Sequence, residues 1–140
     1  MKKIALLLVI VAALPSFTIP DTFQFSLVGR WKSSGNNDAI DYLIFEKDGH
    51  ATMQKGNETI GGKNIGNGSQ KGKMTYSTNF SAKPAQIDFI LTRLDTQQEM
   101  RIKGIVHVII DIEIKVAINN DPTVRPKSFD ASAMLFKRAK

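Results

Sequence analysis

Two histidines, His50 and His107, and a scatter of carboxylates and serines are the first side chains to weigh for chemistry. The histidines lie far apart in the chain, and cysteine is absent. A structural zinc site of the usual thiolate composition, a cysteine nucleophile, a disulfide framework and a lipid anchor through an N-terminal cysteine are thereby excluded. His50 follows a turn sequence and is expected to face solvent. His107 alternates with apolar neighbours and is expected to point outward. Two carboxylate pairs stand close in sequence, Asp38 with Asp41 and Asp111 with Glu113. General acid–base work needs one member of such a pair to be buried and its pKa raised, and nothing in the surrounding pattern buries either pair. No serine occupies a G-x-S-x-G elbow. Gly61-Gly62-Lys63-Asn64 and Gly68-Ser69-Gln70-Lys71 combine glycine with lysine but lack phosphate-loop spacing and a following helix. These observations predict no catalytic residue, no metal and no cofactor.

The chain has 140 residues, one domain's worth, with 42% hydrophobic and 23% charged residues. Its N-terminus reads as an address. Met1-Lys2-Lys3 is a positive start, and Ile4 to Leu14 is an unbroken apolar run of 11 residues, followed by Pro15 and Ser16. The run is short for a bilayer span, which needs about 20 residues, and fits the apolar region of a secretory signal. Residues 1–16 are therefore expected to be a signal peptide, cleaved near Ala13–Ser16, with 17–26 a linker. The Lys-Lys start fits a bacterial leader and a secreted or periplasmic destination, with no stable membrane span after processing. Setting aside Lys2 and Lys3 leaves 17 of the 19 basic residues against 13 acidic ones, a surplus of 4. The surplus is spread along the chain, apart from Lys137-Arg138 and Lys140, and clustering of the kind that nucleic-acid binding uses is missing. The sequons at Asn57, Asn67 and Asn79 read as loop composition.

From Phe23 onward the apolar residues recur every second position. Leu27–Ser33, Tyr42–Lys47, His50–Lys55, Lys73–Thr78 and Ala85–Thr92 read as strands, and Ala133–Lys137 as the closing strand. Asp48-Gly49 predicts a two-residue type I′ hairpin turn. Gly56 to Gly72 holds six of the ten glycines and is expected to be a long flexible loop, with room for a short hairpin. Every even position from 102 to 118 is apolar except Gly104. No helix gives that pattern. Seventeen residues exceed an ordinary strand, so the run is expected to fold back within Ile109–Glu113, a single long bent strand being the alternative. Asn119 to Asp130 reads as a connection. About eight strands and no helix predict an all-β, antiparallel up-and-down barrel over residues 27–138, with a sandwich as the alternative.

Gly29-Arg30-Trp31 is similar to the G-x-W of the lipocalins. The C-terminal half, with Lys103-Gly104-Ile105, Ile114-Lys115-Val116 and Arg125-Pro126-Lys127-Ser128-Phe129 ahead of Leu135-Phe136-Lys137-Arg138, resembles small bacterial lipocalin-like domains of uncharacterised role. The resemblance implies an eight-stranded barrel whose closed end is plugged by Trp31, with Gly29 beside it and a basic residue of the last strand over it, Arg138 rather than Lys137. The chain departs from the pattern in the turn at Ile109-Ile110-Asp111-Ile112 and in lacking a C-terminal helix.

An apolar lining leads to a binding module that holds one small apolar or amphipathic ligand inside the barrel, with Phe45, Met53, Tyr76, Phe89 and Val108 as its inward residues near the open end. A packed scaffold acting through its loops is the second reading, and a hydrolase the least supported.

Overall fold

In the computed structural model, described over residues 25–35, 38–66, 71–130 and 132–140, nine strands form a single antiparallel sheet. They are β1 (Gly29–Ser33), β2 (Tyr42–Phe45), β3 (Ala51–Lys55), β4 (Glu58–Gly61), β5 (Gly72–Asn79), β6 (Ala85–Arg93), β7 (Glu99–Ile110), β8 (Glu113–Ile118) and β9 (Met134–Arg138). The sheet order is β4-β3-β2-β1-β9-β8-β7-β6-β5. Sequential strands pair as an up-and-down meander, and the first pairs with the last, Trp31 opposite Arg138. The expected leader and most of the linker, residues 1–24, lie outside the described residues.

The edges of this sheet meet. Tyr76 N donates to Gly49 O at 3.0 Å and Met74 N to Gly62 O at 2.9 Å, His50 bridges Thr75, and Ile65 and Gly72 exchange both backbone hydrogen bonds. The result is a nearly closed barrel, which satisfies backbone groups that an open edge would expose. Gly61 permits the approach. Its φ is +113°, and a Cβ there would lie 2.5 Å from Ala51 O and 2.5 Å from Met74 Cε. Gly61→Val is expected to cost about 2–4 kcal/mol through the disfavoured φ and the clash, and to speed hydrogen exchange at the Met74 and Tyr76 amides. Unchanged protection of those amides would show that the seam does not depend on this glycine.

The interior is built from alternating residues of every long strand. Trp31, Leu43, Phe45, Met74, Ile87, Phe89, Val106, Ile114, Val116 and Phe136 are all essentially inaccessible, and each such side chain contributes about 1.5–3 kcal/mol by leaving water. The run 102–118 folds back at Asp111-Ile112. Val108 opposes Ile114, Val106 opposes Val116 and Gly104 opposes Ile118, so even positions share the inner face on both strands. A bulge between Val108 and Ile110 ends that register, and Ile110 and Ile112, at the tip, are about half exposed. The inward rhythm therefore stops short of the turn.

Two further expectations are corrected. The β2–β3 connection is a three-residue loop, Lys47-Asp48-Gly49, rather than a type I′ turn: Gly49 N donates to Glu46 O, Glu46 N donates to His50 O, and only Gly49 has positive φ. That combination is a type I turn followed by a glycine bulge. Within the glycine-rich stretch, β4 pairs with β3 across a Gly56-Asn57 turn, Lys55 opposite Glu58. Gly56, at φ +57°, supplies the conformation that turn requires.

The connection 119–130 lies on the outer face of β6–β8. Lys103 N donates to Pro122 O at 2.7 Å, Arg125 reaches Asp88 and Gly104 O, Pro126 is buried, and Phe129 sits 6.2 Å from His107. This strap accounts for Ile105 and Ala117, outward by alternation yet 1% and 2% exposed.

Candidate functional site

The register gives the barrel two unlike ends. At one, Trp31 is fully buried and its Nε1–H donates to Leu27 O at 2.8 Å. The Arg138 guanidinium lies 4.3 Å above the indole ring. It donates to Val28 O at 2.8 Å, Ser26 O at 2.7 Å and Asp111 O at 3.2 Å. One side chain thus ties the incoming chain to the β7–β8 turn. Gly29 has φ +135°, and a Cβ there would stand 3.0 Å from Arg138 Nη1, so a side chain would push the guanidinium off the indole. Lys137 points outward, opposite Lys32 and Glu113. Phe25 caps the plug, 6.1 Å from Trp31 and 6.0 Å from Phe80 by ring centroids.

The five residues expected to line a ligand site are dispersed along the barrel axis. Phe45 packs on Tyr76 at 4.8 Å and on Phe89 at 6.0 Å, and both phenylalanines are sealed in the core. Tyr76 Oη donates to Glu46 O at 3.3 Å, so its hydroxyl serves the β2–β3 turn. Burial, then the nearby Asp48 charge, raises its pKa. Val108 lies toward the plugged end, in a shallow 360 Å³ hollow with Phe25, Ile110 and Asp111. Only Met53 reaches the open end. Alternation reports which face a side chain takes. Its height along the axis is set by strand register, which sequence period does not carry.

The open end holds a cavity of about 500 Å³ whose apolar wall is Ile40, Met53, Ile102, Ile118 and Met134. Asn119, Asn120 and Ser132 contribute polar groups at its rim. Ile118 and Met134 belonged to runs whose inward face was readable, and only their height was not. Below the rim the barrel is filled, since Phe89, the cross-strand partner of Ile102, is fully covered. Asp38 and Asp41 hold the lip. Asp38 accepts from Ser33 Oγ and from Gly35 N. Lys55 Nζ donates to Asp38 O at 2.6 Å and Asp41 Oδ1 at 3.1 Å, and Gly56 N donates to Asp41 Oδ2 at 2.7 Å. The Gly56 N–H and then Lys55 hold the Asp41 carboxyl below its ordinary range, opposite to what a general acid requires. A second concavity, about 540 Å³, opens beside Ile65, Leu91 and Met100 at the same end of β5–β7.

The remaining chemical groups are separate. A turn divides Asp111 from Glu113. His107 is exposed on the outer face. His50 differs from expectation: its side chain is 18% exposed, with Nδ1 at 2.9 Å from Asp48 Oδ1, a contact without hydrogen-bond alignment. Glu46, Asp48 and His50 bring potential ligand atoms within 4.8 Å of one another. Lys63 Nζ, 2.9 Å from Asp48 Oδ2, already supplies the cation there. That contact, then the His50 backbone and side chain, holds the Asp48 carboxyl well below its ordinary range.

The fold and the site define a nearly closed antiparallel β-barrel, plugged at one end and apolar-mouthed at the other. No family model, curated protein or solved structure matches the chain.

Proposed function

We propose that the protein is an exported, lipocalin-like carrier that holds a small apolar or amphipathic molecule at the open end of its barrel. The observation that carries this reading is the 500 Å³ mouth walled by Ile40, Met53, Ile102, Ile118 and Met134, within the ~300–1,000 Å³ range of small-molecule sites. Because the barrel is filled below it, the ligand rests in the mouth and does not thread the axis. Export rests on the Met1-Lys2-Lys3 start and the apolar run 4–14. No helix among the described residues is long and apolar enough to cross a membrane. The filled core between Trp31 and Phe89 favours a second reading, a scaffold acting through its loops.

Titration with the neutral dye N-phenyl-1-naphthylamine separates the two. The carrier reading expects a saturable fluorescence rise at one site per chain. A lysine at the half-buried lip position, Ile118→Lys, is expected to weaken it at least about tenfold by placing a charge in an apolar wall. Ile112→Lys, exposed at the plugged end, is expected to leave it unchanged. An unsaturable rise, or equal affinity in Ile118→Lys, would favour the scaffold.

A further inference from the structure

The open mouth carries one uncompensated charge. Asp38 is the only ionisable residue in its lining, whose other polar side chains are the neutral Asn119, Asn120 and Ser132. The half-buried Asp38 carboxylate accepts from Ser33 Oγ and from Gly35 N through one oxygen, Oδ2. Among the described residues nothing donates to Oδ1, and no cationic nitrogen stands within ion-pair distance of either oxygen. Lys55 Nζ reaches the Asp38 backbone oxygen at 2.6 Å, but its ion pair is with Asp41 at 3.1 Å. Asp38, Asp41 and Lys55 therefore sum to a single negative charge.

Register fixes the side of the sheet on which that charge lies. Ser33 alternates with Trp31 along β1 and stands opposite Phe136, and both aromatic residues are fully buried. The Ser33 hydroxyl is thus on the inner face, and it holds the carboxylate there. Met53 opposes the buried Leu43 and Met134 opposes the buried Val116, so the apolar wall occupies the same face. Gly35 leaves room for the arrangement. A Cβ there would stand 2.6 Å from Asp38 Cγ and 2.6 Å from Oδ1, and any side chain would push the carboxylate aside. An anionic head would meet this charge with no lysine in the lining to offset it. A cationic head would gain a charge-assisted hydrogen bond, which is roughly twice as strong as a neutral one.

We infer that the mouth takes an amphiphile with a cationic head, its alkyl part against Ile102, Ile118 and Met134 and a primary ammonium donating to Asp38 Oδ1. The inference rests on the carrier reading and adds the class of ligand to it. Partial exposure of the carboxylate makes the preference sensitive to salt.

Displacement of bound N-phenyl-1-naphthylamine by dodecylammonium, dodecanol and dodecanoate at neutral pH, each below its aggregation threshold, tests it. Dodecylammonium is expected to bind about tenfold more tightly than dodecanol, and dodecanoate more weakly than either. The ammonium advantage should shrink in high salt. It should vanish in Asp38→Asn, which keeps an oxygen to accept from Ser33 and Gly35, while the affinity for dodecanol stays unchanged. Equal affinity for the ammonium and the alcohol, or tightest binding of dodecanoate, overturns the charge assignment and leaves the carrier reading standing. Loss of dodecanol binding in Asp38→Asn also overturns it, by making Asp38 a brace of the lip alone. If the dye does not saturate and calorimetry detects no binding of the three alkyl ligands, the carrier reading falls and the inference with it.

Discussion

Trp31→Ala is expected to remove about 3–5 kcal/mol of stability, a large share of the ~5–15 kcal/mol that holds a domain of this size folded. The indole is fully buried, its N–H is satisfied by Leu27 O, and its face carries the Arg138 guanidinium. Truncation leaves a large cavity at the plugged end and removes the surface on which Arg138 rests. The arginine is a separable part of the effect. Arg138→Lys keeps the charge but gives up the planar fork that spans Val28 O, Ser26 O and Asp111 O, and is expected to cost about 1–2 kcal/mol through lost stacking and hydrogen bonds. Urea unfolding of both variants checks these expectations. An Arg138→Lys midpoint equal to wild type would mean that the fork does not hold the end closed.

The second large effect belongs to the outer face. Asp88 is 13% exposed and accepts from Arg125 Nη1 at 2.7 Å, Arg125 Nη2 at 3.2 Å and Arg101 Nη1 at 3.2 Å. Arg125 also donates to Gly104 O at 2.7 Å, fastening the strap to β7. Asp88→Asn is expected to cost about 2–3 kcal/mol at neutral pH, because charge-assisted hydrogen bonds are lost and a half-buried guanidinium is left without its counter-charge. Burial opposes ionisation of Asp88, but Arg125 and then Arg101 outweigh it, and the carboxyl is held below its ordinary value. A carboxylate with a lowered native pKa contributes stability that is complete above the unfolded value of about 3.9 and is lost as pH falls through the native one. The gap between wild type and Asp88→Asn should therefore be constant from pH 7 to about 5 and close on acidification below about pH 4. Thermal unfolding across that range measures it. A gap that persists unchanged at pH 2 would assign the effect to packing alone.

These two sites show how much of the molecule the sequence carries. Period-two alternation identified every strand but β4, their inner faces and the fold-back near Asp111, because burial of one sheet face is a local constraint written at every second residue. The plug was legible in Gly29, Trp31 and Arg138 through likeness to a known pattern, and the structure brings the three into contact. Arg125-Pro126 was conspicuous for the same reason, yet its partner Asp88 lies 37 positions away and nothing in the local pattern announces the pairing. Ile105 and Ala117 could not be read as covered, since alternation assigns them to the outside and nothing in the residues of the 119–130 connection says which face of the sheet it crosses. The β2–β3 turn was misjudged because Asp-Gly serves both two-residue and bulged loops, and register decides between them. The five residues expected to line a ligand site lie at different heights. Phe45 and Phe89 face inward as expected but lie below the rim, whereas Ile118 and Met134 sit at it.

Methyl NMR of the isotope-labelled protein, titrated with N-phenyl-1-naphthylamine, tests most directly whether the barrel's open end accepts a ligand. The expected result is saturable shifts at the Met53, Ile102, Ile118 and Met134 methyls, with those of Val108 and Ile114 unmoved. Shifts confined to the plugged end, or none at saturating dye, would contradict it.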